Sequence, residues 1–492
     1  MTPELDWLKR WSRYAPESVA IESGETGRAF TYRELDARAG RIASILRSRF
    51  EVTRGERVVC VAQNELDYIS LFFATQRLGA ILVPVNFRFT ASEIEHIVRD
   101  SGAKLVIAER IFASAVTGLS VARWAFDGAD SVTQAAGDDT IPVFDGRAGE
   151  FEDACMILYT SGTTGFPKGA VISHRMIFWN SVNTGLRLNL TQSDVVLTFL
   201  PLFHTGGWNV LTTPCLHRGA RVILLRKFDP DLVLRLCPRT TVLFGVPTTM
   251  DFLSRAREFA GTDLSNIRYA IVGGEPMPLE RMHVWESRGI PIRQGYGLTE
   301  FGPNVFSLNA EDSRRKMGSI GFPNFYIDAQ VVDGEGREVA ADEVGELVLR
   351  GPVAMSGYWN SPEATAAVMK NGWLHTGDLV RQDREGYFYV VGRKKEMFIS
   401  GGENVYPAEI EKVLRGLPGV REAAVIGVPH PKWGECGKAF VALEEGRSIT
   451  AEDLREYCLE RLAKFKVPTH FLVIKDLPKT ESGKIAKKLL KP

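Results

Sequence analysis

The run YTSGTTGFPKGA, from Tyr159 to Ala170, gathers Thr160, Ser161, Gly162, Thr163, Thr164 and Lys168 into one short segment. Glycines let backbone N–H groups crowd an anion, while hydroxyls and an ammonium add donors, so the segment has the chemistry of a phosphate-binding loop. It departs from the common nucleotide loop, which sets glycine directly before the lysine and Ser or Thr directly after it. Here Pro167 precedes Lys168 and Gly169 follows, which leaves a plain turn as the competing reading. His204 has no obvious neighbouring base, and a lone histidine is more often satisfied structure than an acid or base. The six cysteines are scattered without C-x-x-C spacing or a histidine cluster, which argues against both zinc and a disulfide framework and for a reducing, cytoplasmic setting.

These residues need a scaffold, and the sequence describes one. ERVVCVA precedes ELDYISLFFATQRLGA, ILVPVN precedes ASEIEHIVRDSG, and KLVIAE follows. Strand and helix in repeated alternation predict parallel α/β sheets covered by helices. The pattern returns at VVLTFLP, RVILLR, TVLFGVP and YAIVGG, and ligands of such sheets gather at the carboxyl ends of the strands. After Gly318 the texture changes. DAQVVDGEGREVA and GELVLRG flank an Asp-Gly turn and predict a small antiparallel barrel or sheet. Beyond GRKKEMFISGGENVYP, the runs PAEIEKVLRGLPGV, REAAVIGVP, KAFVALEE and AEDLREYCLERLAK read as helix, strand, strand and helix, enough for an independent α+β unit of about a hundred residues. The boundary is placed near Lys395, giving units of 1–394 and 395–492.

The chain has 492 residues, enough for about three domains. Its sixty basic and sixty acidic residues cancel, so no global field points to nucleic acid or an anionic membrane, and any polyanion must meet a local site. Charges run through the first twenty residues, unlike a signal peptide, and no apolar run approaches the ~20 residues of a membrane span.

Six further motifs occur in order: LPLFHTGGW (Leu200 to Trp208), IVGGEP (Ile271 to Pro276), QGYGLTE (Gln294 to Glu300), HTGDL (His375 to Leu379), GYFYVVGRKKEMFISGGENVYP (Gly386 to Pro407) and PKTESGKI (Pro478 to Ile485). With them, essentially the whole chain resembles the acyl-activating, adenylate-forming enzyme superfamily, and within it a fatty-acid or aryl-acid CoA ligase. The resemblance implies a large N-terminal domain of parallel α/β sheets plus a small β-barrel, followed by a small mobile α+β domain. It also implies a two-step reaction. A carboxylate attacks the α-phosphorus of ATP, pyrophosphate leaves, and CoA then takes the acyl group. Two anions approach only with strong compensating charge.

By that resemblance, Thr160, Ser161, Gly162, Thr163, Thr164 and Lys168 hold the β- and γ-phosphates, and Thr299 contacts the α-phosphate. Glu300 holds Mg²⁺, for which a single carboxylate plus phosphate oxygens suffices. Tyr296 stacks on adenine within QGYGLTE, which also supplies Gln294 and Gly295 to the nucleotide site, and Gly274, Glu275 and Pro276 form the opposite wall. Asp378 accepts the ribose hydroxyls, with Arg393 as its cationic companion. Lys484 bridges the acid and the α-phosphate during adenylation. Lys395 is the hinge about which the small domain turns. Gly401 and Gly402 line the pantetheine tunnel, and Trp433 meets the CoA nucleotide. His204, Trp208, Gly273, Gly297 and Gly302 border the acyl site, with Val246, Gly295, Phe301 and Val305 completing an apolar wall. Each residue has a bland alternative: a Thr-Glu pair that opens a helix, a structural Asp–Arg pair, a core tyrosine, a solvated lysine, a packing tryptophan.

Phe203 precedes His204 where amino-acid-activating relatives commonly carry an Asp, so an amino-acid substrate is disfavoured. GELVLRG stands in place of the cysteine-bearing box usual in phenylpropanoid ligases, which favours fatty acids. The expected substrate is therefore a medium- to long-chain fatty acid. An aryl or cinnamate-type acid is the alternative, as is loading of a carrier protein in trans, since no carrier domain follows Pro492. The expected partners are the acid, ATP, Mg²⁺ and CoA, without nucleic acid or a transmembrane segment; a homodimer is compatible with this reading.

Overall fold

The computed structural model describes residues 5–146, 149–160, 167–275, 277–400, 403–479 and 484–490. Ser161, Gly162, Thr163, Thr164, Pro276, Gly401 and Gly402 lie outside the described residues.

Among the described residues the strands form four sheets. The first has six, in the order Ala122–Ala125, Leu105–Ala108, Arg57–Val61, Ile81–Pro84, Ala154–Thr160 and Lys168–Ser173. Its first five strands run parallel, and the last turns back antiparallel, pairing Thr160 with Lys168. The described ends of the phosphate-loop candidate, Thr160 and Lys168, are thus the last pair of two antiparallel strands at the end of a parallel sheet. The second sheet has nine strands, whose parallel centre carries Val195–Thr198, Arg221–Leu224, Val242–Gly245, Tyr269–Val272 and Ile292–Tyr296. Every alternating run singled out in the sequence is found here as a strand. Not anticipated was the hairpin of Val19–Ser23 and Ala29–Thr31, which joins this sheet by pairing with Arg221–Leu224, some 200 residues away.

The helix Leu66–Leu78 is buried along its whole length, its apolar residues spread around the helix and not confined to one face. Its buried Asp67 is held by a two-pronged contact with Arg38 at 2.6–2.7 Å. Gly79 ends the helix in the left-handed conformation at φ 66°. Capping boxes at Thr31/Glu34 and Thr90/Glu93 start two neighbouring helices, each satisfying end N–H groups that would otherwise lack partners.

The third sheet is antiparallel, with five strands that include Asp328–Val332, Val344–Arg350, Trp373–Gln382 and Phe388–Arg393. A turn over 394–397 leads into the small unit, whose sheet is built on Val420–His430 and Gly434–Leu443. Phe398, Ile410, Leu414, Val425, Val441 and Leu454 form a hydrophobic cluster of its own there, as expected of a segment able to fold as a unit. The strand His470–Ile474 adds a parallel edge that the alternation of apolar residues did not reveal.

Candidate active site

Two side-chain clusters and one lysine define the site. The first joins the end of the Thr160–Lys168 pair to Glu300. The segment around Tyr358 lies along the strand Lys168–Ser173: Trp359 N–H donates to the Gly169 carbonyl (2.7 Å), and Val171 N–H to the Gly357 carbonyl (2.9 Å). That placement sets the Tyr358 hydroxyl 2.7 Å from Glu300 Oε1, as donor to the carboxylate. The Lys168 ammonium lies 5.7 Å from the centre of the same ring. Met355 N–H donates to the Glu300 carbonyl at 2.9 Å, so backbone and side chain of Glu300 are both held by one segment. Burial and the facing carboxylate push the Tyr358 phenol well up, so it stays a donor. Tyr358 carries no motif signal and was missed in the sequence; only the pairing of its segment with the loop strand reveals it. Thr299 opens a short 3₁₀ turn with Glu300 and Phe301, so the bland helix-start reading of that pair is also realised.

The second cluster is Tyr296, Asp378 and Arg393. Asp378 and Arg393 face each other across neighbouring antiparallel strands, and Arg393 Nε lies 2.5 Å from Asp378 Oδ1. The Tyr296 hydroxyl donates to Oδ2 at 2.5 Å. Asp378 is buried, and burial raises its carboxyl pKa while Arg393, Tyr296 and Lys484 act to lower it. A carboxylate has about four lone-pair sites, so two directions stay open for further donors. Gln294 is spent differently: its buried amide donates to the carbonyls of Val272 (3.1 Å) and Glu275 (3.2 Å) and accepts from Met277 N–H (3.1 Å). Its side chain thereby holds the Glu275 loop.

Lys484 comes from the small unit, yet its positive charge reaches His204, Glu275 and Asp378, all in the large one. The Glu275 carboxyl is raised by burial and pulled back by Lys484 and Arg415. His204 is pushed down to about 4 by burial, then by Lys484 and Arg88, so it is neutral near pH 7. Its buried Nε2 has no hydrogen-bond partner among the described residues.

The acyl-site expectations divide. Trp208 is fully buried, packed edge-on to Tyr68 (5.7 Å) and tilted against Phe72 (5.2 Å), which makes it core packing. A Cβ on Gly297 would fall 2.0 Å from the Pro303 carbonyl oxygen, so this glycine serves a backbone crossing. Gly302 has φ 69°, and a Cβ there would meet Asn180 Oδ1 at 3.0 Å. Gly273 has room: its Cβ would make ordinary contacts with the Gly295 carbonyl (3.6 Å) and Phe244 (3.8 Å). Phe301 and Val305 are buried in the core. Leu200, Leu211 and Phe244 close around Gly206 and leave no room for a water-sized molecule.

Lys395 lies in the turn after Arg393, its ammonium pKa lowered by burial and by Arg393. Trp433 is 46% exposed at a hairpin tip, with Lys432 Nζ 4.5 Å from its ring centre. Among the described residues no cluster of three or more His, Cys, Asp or Glu could hold a metal, all six cysteines are free and buried, and no helix is long and apolar enough to cross a membrane.

The AMP-binding enzyme pattern matches residues 8–359, and the AMP-binding enzyme C-terminal domain matches residues 409–484. A feruloyl-CoA synthase from Amycolatopsis sp. is 41% identical over 483 residues, covering 98% of this chain and 97% of the relative. A long-chain-fatty-acid–CoA ligase, FadD13, from Mycobacterium tuberculosis is 35% identical over 502 residues, covering 99% and 98%. Among solved structures, the o-succinylbenzoate CoA synthetase of Bacillus subtilis, in complex with its acyl-adenylate intermediate, superposes with a TM-score of 0.91 at 31% identity, covering 100% of this chain and 99% of that one. The same enzyme has been solved with ATP and a magnesium ion, where the TM-score is 0.89 at 31% identity and 99% of each chain is covered. With both parts of the pattern matched in order and each relative aligned almost end to end, the chain belongs to the AMP-binding enzyme family, among its acid:CoA ligases.

Proposed function

We propose that the protein is an ATP-dependent carboxylic acid:CoA ligase that forms an acyl-adenylate with release of pyrophosphate, then an acyl-CoA with release of AMP. The observation that carries this reading is the buried Asp378 held by Arg393 Nε and the Tyr296 hydroxyl, in a chain whose two parts match the AMP-binding enzyme pattern. Lys484 offsets the negative charge that builds as the carboxylate attacks phosphorus. Asp378, fixed by Arg393 and Tyr296, receives the ribose hydroxyls, and Lys168 with Thr160 receives the outer phosphates. Neutral His204 turns its Nε2 to the acid and does not act as a base.

ATP and CoA are the co-substrates, and the metal is Mg²⁺. Glu300 suits that ion: a lone hard oxygen donor, without a further cluster of acidic or sulfur ligands among the described residues, fits a metal that brings phosphate oxygens with it. Mg²⁺ neutralises phosphate charge when bound. Lys395 is the proposed hinge between units 1–394 and 395–492, since Lys484 must withdraw before CoA sulfur can reach the adenylate.

For the acid, Phe244 favours an aryl substrate over the long fatty chain expected from GELVLRG. Its ring stands beside Gly206 and Gly273, glycines of the two motifs LPLFHTGGW and IVGGEP that the acyl-site reading draws on, and a bulky aromatic there favours a flat ring over a long chain. The higher identity to the feruloyl-CoA synthase points the same way. The test is pyrophosphate release, with and without CoA, across fatty acids, benzoates and cinnamates. Turnover is expected with CoA and the aromatic acids, and Phe244→Ala should move preference toward longer chains. A single burst that CoA cannot carry into turnover would make a carrier protein the acceptor.

A further inference from the structure

Resting on that reading, we infer that Lys487 is the positioning residue that fixes Lys484 for adenylation, by tying the end of the chain to the turn just beyond Lys395. Lys487 Nζ lies 2.7 Å from Glu396 Oε2 and 2.7 Å from Glu411 Oε1. The two carboxylates come from different places. Glu396 belongs to the turn whose N–H donates to the Arg393 carbonyl at 3.0 Å, and Glu411 sits buried on the helix Pro407–Arg415. Glu411 is itself held, accepting from Val425 N–H at 2.8 Å. The Lys487 side chain is only 19% exposed, so this is a shielded three-charge contact, unlike the surface pairs that contribute little.

The chain around it is anchored by apolar contacts as well. Ala486 N–H donates to the Pro478 carbonyl at 2.7 Å, and Leu490 is buried with Leu477, Phe440 and Ala424. Lys484, three residues earlier, is exposed at the start of this anchored stretch. A lysine has four rotatable side-chain bonds, so its ammonium is well placed only if its backbone is, and about 1 Å of misplacement can cost on the order of 100-fold in rate. Lys487 supplies that placement and refers it to the hinge turn, so Lys484 arrives at the same point each time the small unit closes.

Only adenylation uses Lys484, and this separates positioning from general support of the fold. Lys487→Gln should slow acyl-adenylate formation about 10- to 100-fold, while thioester formation from supplied acyl-adenylate stays within about 3-fold of wild type. Lys487→Arg, which keeps both ion pairs, should recover most of the loss. In a Lys484→Ala background, Lys487→Gln should have no further effect on adenylation, because the two act as one unit. Equal loss in both half-reactions, no loss in either, or full additivity with Lys484→Ala would overturn the inference. If Lys487→Gln does not fold, Glu396→Gln decides by the same readouts, since it removes one partner and leaves Glu411 in place. A wild-type protein that forms no acyl-adenylate from any acid would instead overturn the proposed function, a separate result.

Discussion

Tyr358 shows how one hydroxyl organises two charged groups. It donates to Glu300 at 2.7 Å while its ring faces Lys168 at 5.7 Å, so it links the carboxylate proposed for Mg²⁺ with the ammonium proposed for the phosphates. A hydrogen bond to a charged acceptor contributes about 1.5–3 kcal/mol. Tyr358→Phe keeps the ring and the backbone bond from Tyr358 N–H to Thr365 Oγ1, and removes only that donor. The expected result is an apparent KM for MgATP raised about 10-fold with a smaller change in kcat, together with weaker Mg²⁺-dependent ATP binding by calorimetry. Unchanged binding at every Mg²⁺ concentration would mean that the Tyr358 hydroxyl does not orient Glu300. The glycines make the same point about single residues. Gly273 leaves space beside Phe244, whereas Gly297 is required by the Pro303 backbone, and nothing in the motifs IVGGEP and QGYGLTE distinguishes those uses.

Among the elements, the turn over 394–397 has the most asked of it. It follows a strand that places Arg393 against Asp378 and precedes the small unit's own hydrophobic cluster, so rotation there disturbs neither core. Glu396 and Met397 both donate N–H groups to the Arg393 carbonyl, which defines one closed geometry of the turn. Proline at 395 would fix φ near −65° and restrict Lys394 before it. Lys395→Pro is therefore expected to spare acyl-adenylate formation and to slow thioester formation by an order of magnitude or more, about what a misplaced reacting group costs. Single-turnover measurement of each half-reaction checks it, and undiminished thioesterification would move the hinge elsewhere.

On the scale of the whole molecule, burial of neutral histidines sets an acid limit. His204 and His217 are each pushed down to about 4, chiefly by burial, with nearby cations adding to the effect. His217 is stacked on Trp7 at 4.0 Å and bonded to Ser181 Oγ at 2.8 Å. In the unfolded chain both would titrate near 6.5, so between about 6.5 and 4 the unfolded state binds more protons and stability falls as pH is lowered. Asp378 and Glu275, with raised carboxyl values, act in the opposite sense at the acid end, which is why the test is made by difference. His217→Gln should lose stability less steeply than wild type from pH 7 to pH 4, seen as a converging thermal midpoint. Parallel curves would show that His217 does not titrate on unfolding.

How much of this was legible in sequence depends on distance along the chain. Strands such as Arg57–Val61 and Tyr269–Val272 and the antiparallel sheet after Gly318 follow from local periodicity and turn chemistry, which neighbouring residues determine among themselves. The order of the motifs is what carries the proposal of Lys168, Glu300, Asp378, Arg393 and Lys484 as site residues. Contacts between distant segments could not be read that way: Val19–Ser23 beside Arg221–Leu224, Tyr358 on Glu300, Trp208 in the core, Phe244 beside Gly273, Lys487 between two carboxylates. Those were decided by how sheets and helices close-pack, because which side chain fills a given space depends on everything else that reaches it.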